Sequence, residues 1–393
     1  MNINLDFEDT RPYYNEEIPD AIKRVSEDIY FRNMVNHIFP DIDIEAFTKN
    51  FKKIRTVNEF QEQVMDKVIR SIIKETSAGL SYSGLSRLST DKNYMFISNH
   101  RDILLDSAIL QVILHECGLD TSEITFGSNL MSSPLVIDIG KMNKMFKIVR
   151  GGTMREIFNN SLKVSQYMRY AITEKRQSTW IAQRNGRTKN GFDATEMAVL
   201  KMFAMSSSAG FVDNLMELNI TPVIISYEYE PCDALKTRER YISKRKTYIK
   251  ENDEDMFSVL RGIKQWKGQI HLAVAETITE EELQYCDSFL HNEKFKSLVK
   301  IIDHKIYKNY ALWKTNYIAF DMLRLSNKYA HHYSQEEKEA FKLYMTNELK
   351  GIEGDIKELE TIFLQIYATP VENCSPFQDE TAAQPIKKAL FCR

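Results

Sequence analysis

Apolar residues follow three patterns along the chain, and each pattern predicts a different region. Across residues 1–88 they recur mainly at steps of three and four, which predicts a helical N-terminal region. Across 89–276 short apolar runs alternate with amphipathic stretches, which predicts an alternation of strands and helices. The helical spacing returns across 277–367, and the polar, proline-bearing stretch 368–393 predicts a flexible tail.

The alternation in the middle region predicts the fold class. Strands that alternate with helices are typical of an α/β fold with a mixed, largely parallel sheet flanked by helices. We therefore expect such a core at 89–276, with helical N- and C-terminal additions. The predicted strands read YMFIS, ITFGSN, FKIVR, STWIAQ, ITPVIISYEYE and QIHLAVAE, and a predicted helix starting at RDILLD follows the first of them.

Positive charge is concentrated in two segments, although the formal charge of the whole chain is only −3. Residues 141–190 contain twelve Lys or Arg against two Glu, and KTRERYISKRKTYIK at 236–250 contains seven positive residues and one Glu. Such segments indicate an anionic partner, with a solvated helix face as the alternative for each. An anionic membrane surface would fit. Nucleic acid is not expected, because no recognition-helix, zinc-finger or RNP-like pattern is present.

Cysteine usage and hydropathy predict the compartment. The five cysteines are scattered and form no CxxC pair, which favours a reducing compartment over a disulfide framework or a zinc site. The first residues are acidic where a signal peptide is basic and then apolar, and no run of eighteen apolar residues predicts a membrane span. We therefore expect a cytoplasmic protein that lies against a membrane without crossing it.

The stretch NHRDILLD, at 99–106, admits three interpretations. A kinase catalytic loop also contains HRD, but Ser107 stands where that loop has a metal-binding Asn, and no DFG triplet or glycine-rich loop is present. A metal site would use His100 with Asp102 and Asp106, which would share a helix face at i, i+4. The core supplies few further ligands, so no metal is expected.

The third interpretation is acyl transfer to an alcohol. The attacking hydroxyl must lose its proton, and a neutral His is the best single base near neutral pH. A nearby carboxylate fixes the imidazole tautomer and stabilises the imidazolium that forms. His100 at a strand end, with Asp102 or Asp106 shortly after it, supplies this pair without a covalent enzyme intermediate.

These residues resemble the first motif of the glycerolipid acyltransferases, which acylate glycerol-3-phosphate and lysophosphatidic acid. In that family four residues separate the His from the Asp, whereas five separate His100 from Asp106 here. The chain is most similar to a bacterial branch that carries SNHRDI followed by LDS, which implies peripheral association with the inner membrane. The resemblance implies His100 as general base, and we favour Asp106 over Asp102 as its partner.

Three further segments resemble later motifs of the family, in family order. FKIVRGG resembles the second, whose Arg contacts the acceptor phosphate, and implies that role for Arg150 beside Gly151; a planar guanidinium suits phosphate oxygens. WIAQRNGRTKNG resembles the third, although Asn185 stands where the family has Glu, and ITPVIISYE resembles the fourth. The third motif implies substrate-binding roles for Arg184, Gly186 and Arg187.

The resemblance implies an O-acyltransferase of phospholipid biosynthesis that needs no cofactor. It would move a fatty acyl group from acyl-CoA or acyl carrier protein to glycerol-3-phosphate or lysophosphatidic acid. One alternative keeps the chemistry but acylates a hydroxylated acyl-amino-acid lipid, which needs no phosphate contact. Another is a non-catalytic lipid- or thioester-binding protein that keeps the fold. The shifted position of the Asp and the missing Glu support it, whereas the presence of His100, Asp106 and Arg150 opposes it.

Overall fold

An eight-stranded sheet forms the centre of the computed structural model, which describes residues 7–38, 42–251, 253–377 and 388–392. Its strands are β1 Gly79–Ser83, β2 Met95–Ser98, β3 Glu123–Gly127, β4 Met145–Ile148, β5 Thr179–Ala182, β6 Ile220–Tyr227, β7 Gln269–Val274 and β8 Lys388–Cys392. They lie in the order β4-β3-β5-β2-β6-β7-β1-β8. Only the β6–β7 and β1–β8 pairs among these are antiparallel, so the predicted α/β class with a mixed, largely parallel sheet is confirmed.

Helices cover the sheet and extend the fold at both ends, as predicted. The first group is α1 Ile18–Glu27, α2 Ile29–Ile38, α3 Ile44–Phe51, α4 Val57–Phe60, α5 Asp66–Thr76, α6 Leu105–Glu116, α7 Pro134–Met142, α8 Met154–Thr173, α9 Met197–Ala204 and α10 Phe211–Met216. The second is α11 Asp233–Ser243, α12 Glu254–Lys264, α13 Glu280–Asp287, α14 Asn292–Asn309, α15 Lys314–Arg324, α16 Gln335–Leu349 and α17 Ile356–Cys374. Within the described ranges, none of these helices is long and apolar enough to cross a membrane.

Two apolar layers fix helices on opposite faces of the sheet. Successive strand residues point to opposite faces, so Ile97 of β2 packs into the layer with α8, α9 and α14, whereas Phe96 packs into the layer with α5 and α6. Because both faces are covered, the central strands read as nearly continuous apolar runs instead of alternating ones. The polar groups of the central strands are therefore confined to the strand ends.

The structure differs from the predicted regions at the far edge of the sheet. The small and polar segment GLSYS forms β1 and pairs with β7, although the sequence pattern places it in the helical region 1–88. Helix α17 extends to Cys374, into the stretch predicted as a tail, and β8 pairs with β1. The intervening part of that predicted tail, 378–387, lies outside the described residues. Partners distant in sequence stabilise these segments, and no local pattern reveals them.

Candidate active site

The predicted site residues follow the carboxyl ends of parallel strands of the sheet. These strand ends all lie on the same side of the fold. His100 follows β2, Arg150 follows β4, and Arg184 and Arg187 follow β5. Strands β5 and β6 flank β2 on either side. Open α/β sheets place their sites at this edge, because loops from several strands converge there.

His100 lies beside Asp106. Its Nδ1 is 2.9 Å from Asp106 Oδ2, and its side chain is 11% exposed. An ionised carboxylate only accepts hydrogen bonds, so Nδ1 carries the proton in this contact and Nε2 keeps its lone pair. Nε2 has no hydrogen-bond partner among the described residues. The arrangement therefore selects, for a neutral imidazole, the tautomer that a general base requires.

The Asp106 carboxylate is held by three further donors. Oδ2 accepts from the backbone N–H of Arg101 at 2.6 Å and of Asp102 at 2.9 Å, and Oδ1 accepts from the Tyr227 hydroxyl at 2.9 Å. Burial and then the charge of Asp106 raise the pKa of Tyr227 well above its usual value near 10, so the phenol stays a neutral donor. Four donors in total stabilise the ionised carboxylate and fix its position beside His100.

Asp102 has a different role in the fold, and one expectation about it is wrong. Its Oδ1 accepts from the backbone N–H groups of Leu104 and Leu105, which is an Asx turn that leads into α6. The helix therefore begins at Leu105 instead of Arg101, so Asp102 and Asp106 do not share a helix face at i, i+4. Among the residues that the structure describes, Asp102 makes no contact with the imidazole, and its buried Oδ2 has no hydrogen-bond partner.

Helix α12 closes the space behind Asp102. A Cβ atom on Gly262 would lie 2.2 Å from Asp102 Oδ2, so only glycine permits this approach. Lys267, just after α12, is fully buried, and burial lowers its pKa to about 8, while the charge of Asp102 opposes that shift. The loop that carries His100 is therefore packed from this side as well.

Arg101 anchors the same loop through a buried cluster of four charges. Its guanidinium is 2.5 Å from Asp193 and 3.0 Å from Glu230, and the Lys236 ammonium is 2.6 Å from Glu230. Lys236 also donates to the Arg101 carbonyl at 2.7 Å. These two cations and two carboxylates join the loops after β2, β5 and β6 to α11. Arg101 is thus a structural residue, and its position next to His100 ties the candidate base to three other elements.

Basic side chains converge beside this loop. The backbone N–H of Thr188 donates to the His100 carbonyl at 2.8 Å, which places the neighbouring Arg187 next to the site. Asp255, in the first turn of α12, interacts electrostatically with both Arg150 and Arg187. The structure therefore brings Arg150 and Arg187 together around one helix end. No contact joins either guanidinium to His100 among the described residues.

The glycines of both basic loops adopt left-handed backbone conformations. Gly151 has φ +81° and Gly186 has φ +76°, and a Cβ atom would meet nothing within 4 Å at either position. Backbone conformation, and not crowding, therefore favours glycine there. Arg184 is half-buried, and its guanidinium makes a long hydrogen bond of 3.4 Å to the Phe192 carbonyl.

A carboxylate occupies the turn where the family pattern has Glu. Asn185 stands at that position, and its backbone N–H donates to Glu196 Oε2 at 3.1 Å. Glu196 in turn donates its backbone N–H to the Gln183 carbonyl at 2.9 Å, which closes the loop after β5. The turn therefore holds a carboxylate that comes from a position eleven residues later in the chain.

Two cavities lie away from His100. One, of about 100 Å³, is lined by α5, α6 and the loop before β3, including Gln61, His115 and Lys144. The other is an open depression near Arg240 and Arg324. Within the ranges that the structure describes, no group of three or more His, Cys, Asp or Glu is arranged to hold a metal ion.

Comparison with known proteins adds a likeness among solved structures. No protein-family model matches the chain, and no curated protein matches it. Among solved structures, the chain is similar to the 1-acyl-sn-glycerophosphate (LPA) acyltransferase PlsC from Thermotoga maritima. The match has 10% sequence identity and a TM-score of 0.39 and covers 73% of this chain and 92% of that chain. At these values the likeness carries no argument about activity, which must come from the residues themselves.

Sequence reasoning missed three residues that shape the site. Tyr227 ends the apolar strand β6 and reads as core, Arg101 reads as part of a chance kinase-like triplet, and Glu196 lies outside every motif. Their partners are 121, 129 and 11 residues away in the chain, respectively. Only one signal was available for Tyr227: it is a polar side chain at the carboxyl end of a strand, where the site was already expected.

Proposed function

We propose that the protein is an O-acyltransferase that acylates a hydroxyl of a phosphate-bearing glycerolipid precursor, glycerol-3-phosphate or lysophosphatidic acid. The hydrogen bond between His100 Nδ1 and Asp106 Oδ2 carries the proposal. It leaves Nε2 as the proton acceptor, on an imidazole that is nearly enclosed but not fully buried. The donor would be an acyl thioester of coenzyme A or of acyl carrier protein.

The reaction follows from these groups. His100 Nε2 takes the proton of the acceptor hydroxyl while its oxygen attacks the thioester carbonyl. Asp106 stabilises the imidazolium that forms, and the tetrahedral intermediate then collapses. The carbon–sulfur bond breaks, the new ester keeps the acyl group, and the imidazolium returns its proton to the departing thiolate. No acyl group is attached to the protein at any stage.

Three guanidinium groups support a phosphate on the acceptor. Arg150, Arg184 and Arg187 form no salt bridge with a described residue, although they lie in the two loops that border the site. An anion bound there would meet donors that match its oxygens bidentately. Asp255 is an opposing charge that acts on Arg150 and Arg187, and its own carboxylate is engaged by Lys250 and Asn129.

Arg150→Ala is expected to raise the KM for the acceptor about 10- to 100-fold, the loss of a charge-assisted hydrogen bond. The KM for the thioester donor should stay unchanged, because Arg150 is assigned to the acceptor alone. Steady-state kinetics with each substrate varied in turn measure both constants. Arg176→Ala is the matched control, since Arg176 is exposed at the opposite end of α8. An unchanged acceptor KM in Arg150→Ala would remove this residue from the site.

Tyr227→Phe tests whether the donors to Asp106 position the base. Removing one hydrogen bond to a charged group costs about 1.5–3 kcal/mol, so kcat should fall by roughly one to two orders of magnitude. Neither KM should change, because Tyr227 contacts no substrate in this scheme. Tyr229→Phe is the control, since no hydrogen bond of the Tyr229 hydroxyl is seen in the described chain. A change confined to thermal stability, with kcat intact, would show that Tyr227 only supports the core.

The proposed function is tested by acyl transfer with purified protein. Long-chain acyl-CoA and acyl carrier protein donors are each offered to glycerol-3-phosphate and to lysophosphatidic acid, and the ester product is quantified. Product with either acceptor establishes the activity and identifies the substrates. If folded protein acylates only a phosphate-free hydroxy lipid, the acceptor assignment is wrong. If it binds thioester without any turnover, the binding-protein alternative replaces the enzyme.

A further inference from the structure

The first turns of α8 project from the fold. Residues 151–159 are all exposed, although the second half of the same helix packs on the sheet. Met154 is 83% exposed, Phe158 is 59% exposed, and Ile157 lies on the same stripe. That stripe continues into Met168, which is fully buried. The helix face that packs on the sheet in the second half of α8 is therefore exposed to solvent over the first two turns.

A second group of exposed apolar residues lies at α12. Phe257 is 58% exposed within the helix, and Ile249 just before it is 82% exposed. Met256 and Leu260 are also exposed and share the outer surface of α12 with Phe257. Single exposed apolar residues are common, but groups of this size mark interaction surfaces.

Both groups border the candidate active site. Arg150, which precedes α8, donates its backbone N–H to Ser128 Oγ at 3.3 Å. The adjacent Asn129 donates to Asp255 of α12 at 2.9 Å. The short turn at 128–130 therefore links the start of α8 to the start of α12. The two apolar groups lie on either side of the loop that carries Arg150.

Cations without carboxylate partners lie among these apolar residues. Arg150, Arg155 and Lys246 are exposed and form no salt bridge in the described part of the chain. Among the acids of the same segments, Glu156 completes the capping box of α8 and Asp255 pairs with Lys250. Glu251 lies 3.6 Å from Arg238, and Glu254 accepts a hydrogen bond from the Tyr248 hydroxyl. Asp253 is exposed and forms no salt bridge with a described residue. Apolar side chains bordered by cations fit an anionic bilayer, where the apolar groups enter the acyl boundary and the cations meet the phosphates.

We propose that these exposed residues of α8 and α12 form a docking surface for an anionic lipid bilayer, with Arg150 at the level of the headgroups. This surface goes beyond the transfer reaction, because it would let the protein take a lipid acceptor directly from the membrane. An acidic protein would also satisfy the cations and bury apolar side chains, so it is the competing occupant in the test below. The apolar stripe of α8 bordered by cations favours the bilayer. The inference rests on the proposed function only for the identity of the lipid, and binding is measured without turnover.

The test is co-sedimentation of the full chain with vesicles of phosphatidylcholine alone or mixed with phosphatidylglycerol. The double variant Phe158→Ser/Phe257→Ser removes one aromatic ring from each group. Leu290→Ser is the control, because Leu290 is 77% exposed and follows α13, which begins near the amino end of β6 and thus away from the site. Wild type and control should bind the phosphatidylglycerol vesicles, whereas the double variant should bind roughly tenfold less. Added salt should weaken binding by the wild type.

Equal vesicle binding by the double variant and the control would overturn the proposal. So would a dimer that the double variant fails to form, or capture of purified acidic acyl carrier protein without vesicle binding, since either assigns the surface to a protein. Transfer from a short-chain acyl thioester to glycerol-3-phosphate, without any lipid, reports the chemistry separately. The double variant should retain that transfer, so that failed docking and failed catalysis are distinguishable.

Discussion

His100→Ala is expected to lower acyl transfer by about two to four orders of magnitude, the usual contribution of a positioned general base. Nothing else in the described surroundings of His100 replaces its Nε2, since Asp106 stays held by its three other donors, the backbone N–H groups of Arg101 and Asp102 and the Tyr227 hydroxyl. The fold should remain, because the imidazole makes a single side-chain hydrogen bond. Turnover with saturating donor and acceptor, next to a thermal melt, measures both effects.

His115→Ala provides the control for this experiment. Its ring is 46% exposed on α6, within 4 Å of carboxylates on the neighbouring α5 segment and away from the site. Turnover should be unchanged in that variant. Near-normal turnover in His100→Ala, in protein shown to be folded, would contradict the assignment of the base and leave the protein as a binding module.

Arg101→Ala is expected to have the largest effect on stability. It would leave Asp193 and Glu230 buried with a single cation, and breaking a buried ion pair from one side costs about 3–5 kcal/mol. That is a large fraction of the stability of a typical domain. Urea denaturation followed by circular dichroism measures the loss in the free energy of unfolding.

Arg176→Ala serves as the control for the Arg101 variant, because Arg176 is exposed and a surface change costs within about 0.5 kcal/mol. Arg101→Lys should recover only part of the loss, since an ammonium cannot contact two carboxylates with the planar fork of a guanidinium. A free energy of unfolding equal to that of the wild type in Arg101→Ala would mean that the buried cluster contributes nothing to the fold.

Local patterns were enough to predict the strand that precedes His100, the turn after it and the nearby Asp106. They sufficed because these features depend on residues within ten positions of each other. The apolar spacing of RDILLD predicts a helix from Arg101, whereas α6 begins four residues later, at Leu105. The difference arises because the Asp102 side chain accepts two backbone hydrogen bonds and forms an Asx turn. The extra residue between His100 and Asp106, compared with the family pattern, lies in this turn and leaves the two side chains in contact.

The remaining features depend on distant partners. Arg101 is a structural residue only because Asp193, Glu230 and Lys236 reach it from other loops. Strand β1 forms because β7 lies beside it, although its own sequence has little strand preference. Burial of charges and pairing of edge strands are properties of the assembled fold, and a single sequence without its contacts does not display them.

Glu196 has a consequence for how such proteins are grouped. Glu196 lies eleven residues after Asn185, and its carboxylate accepts a hydrogen bond from the Asn185 backbone N–H. The turn therefore contacts an acid that is absent from its own sequence. A search for consecutive residues registers a missing acid in this turn, although a carboxylate lies within hydrogen-bond distance of its backbone. Comparing such turns therefore requires the positions of carboxylate groups in space as well as the order of residues in the chain.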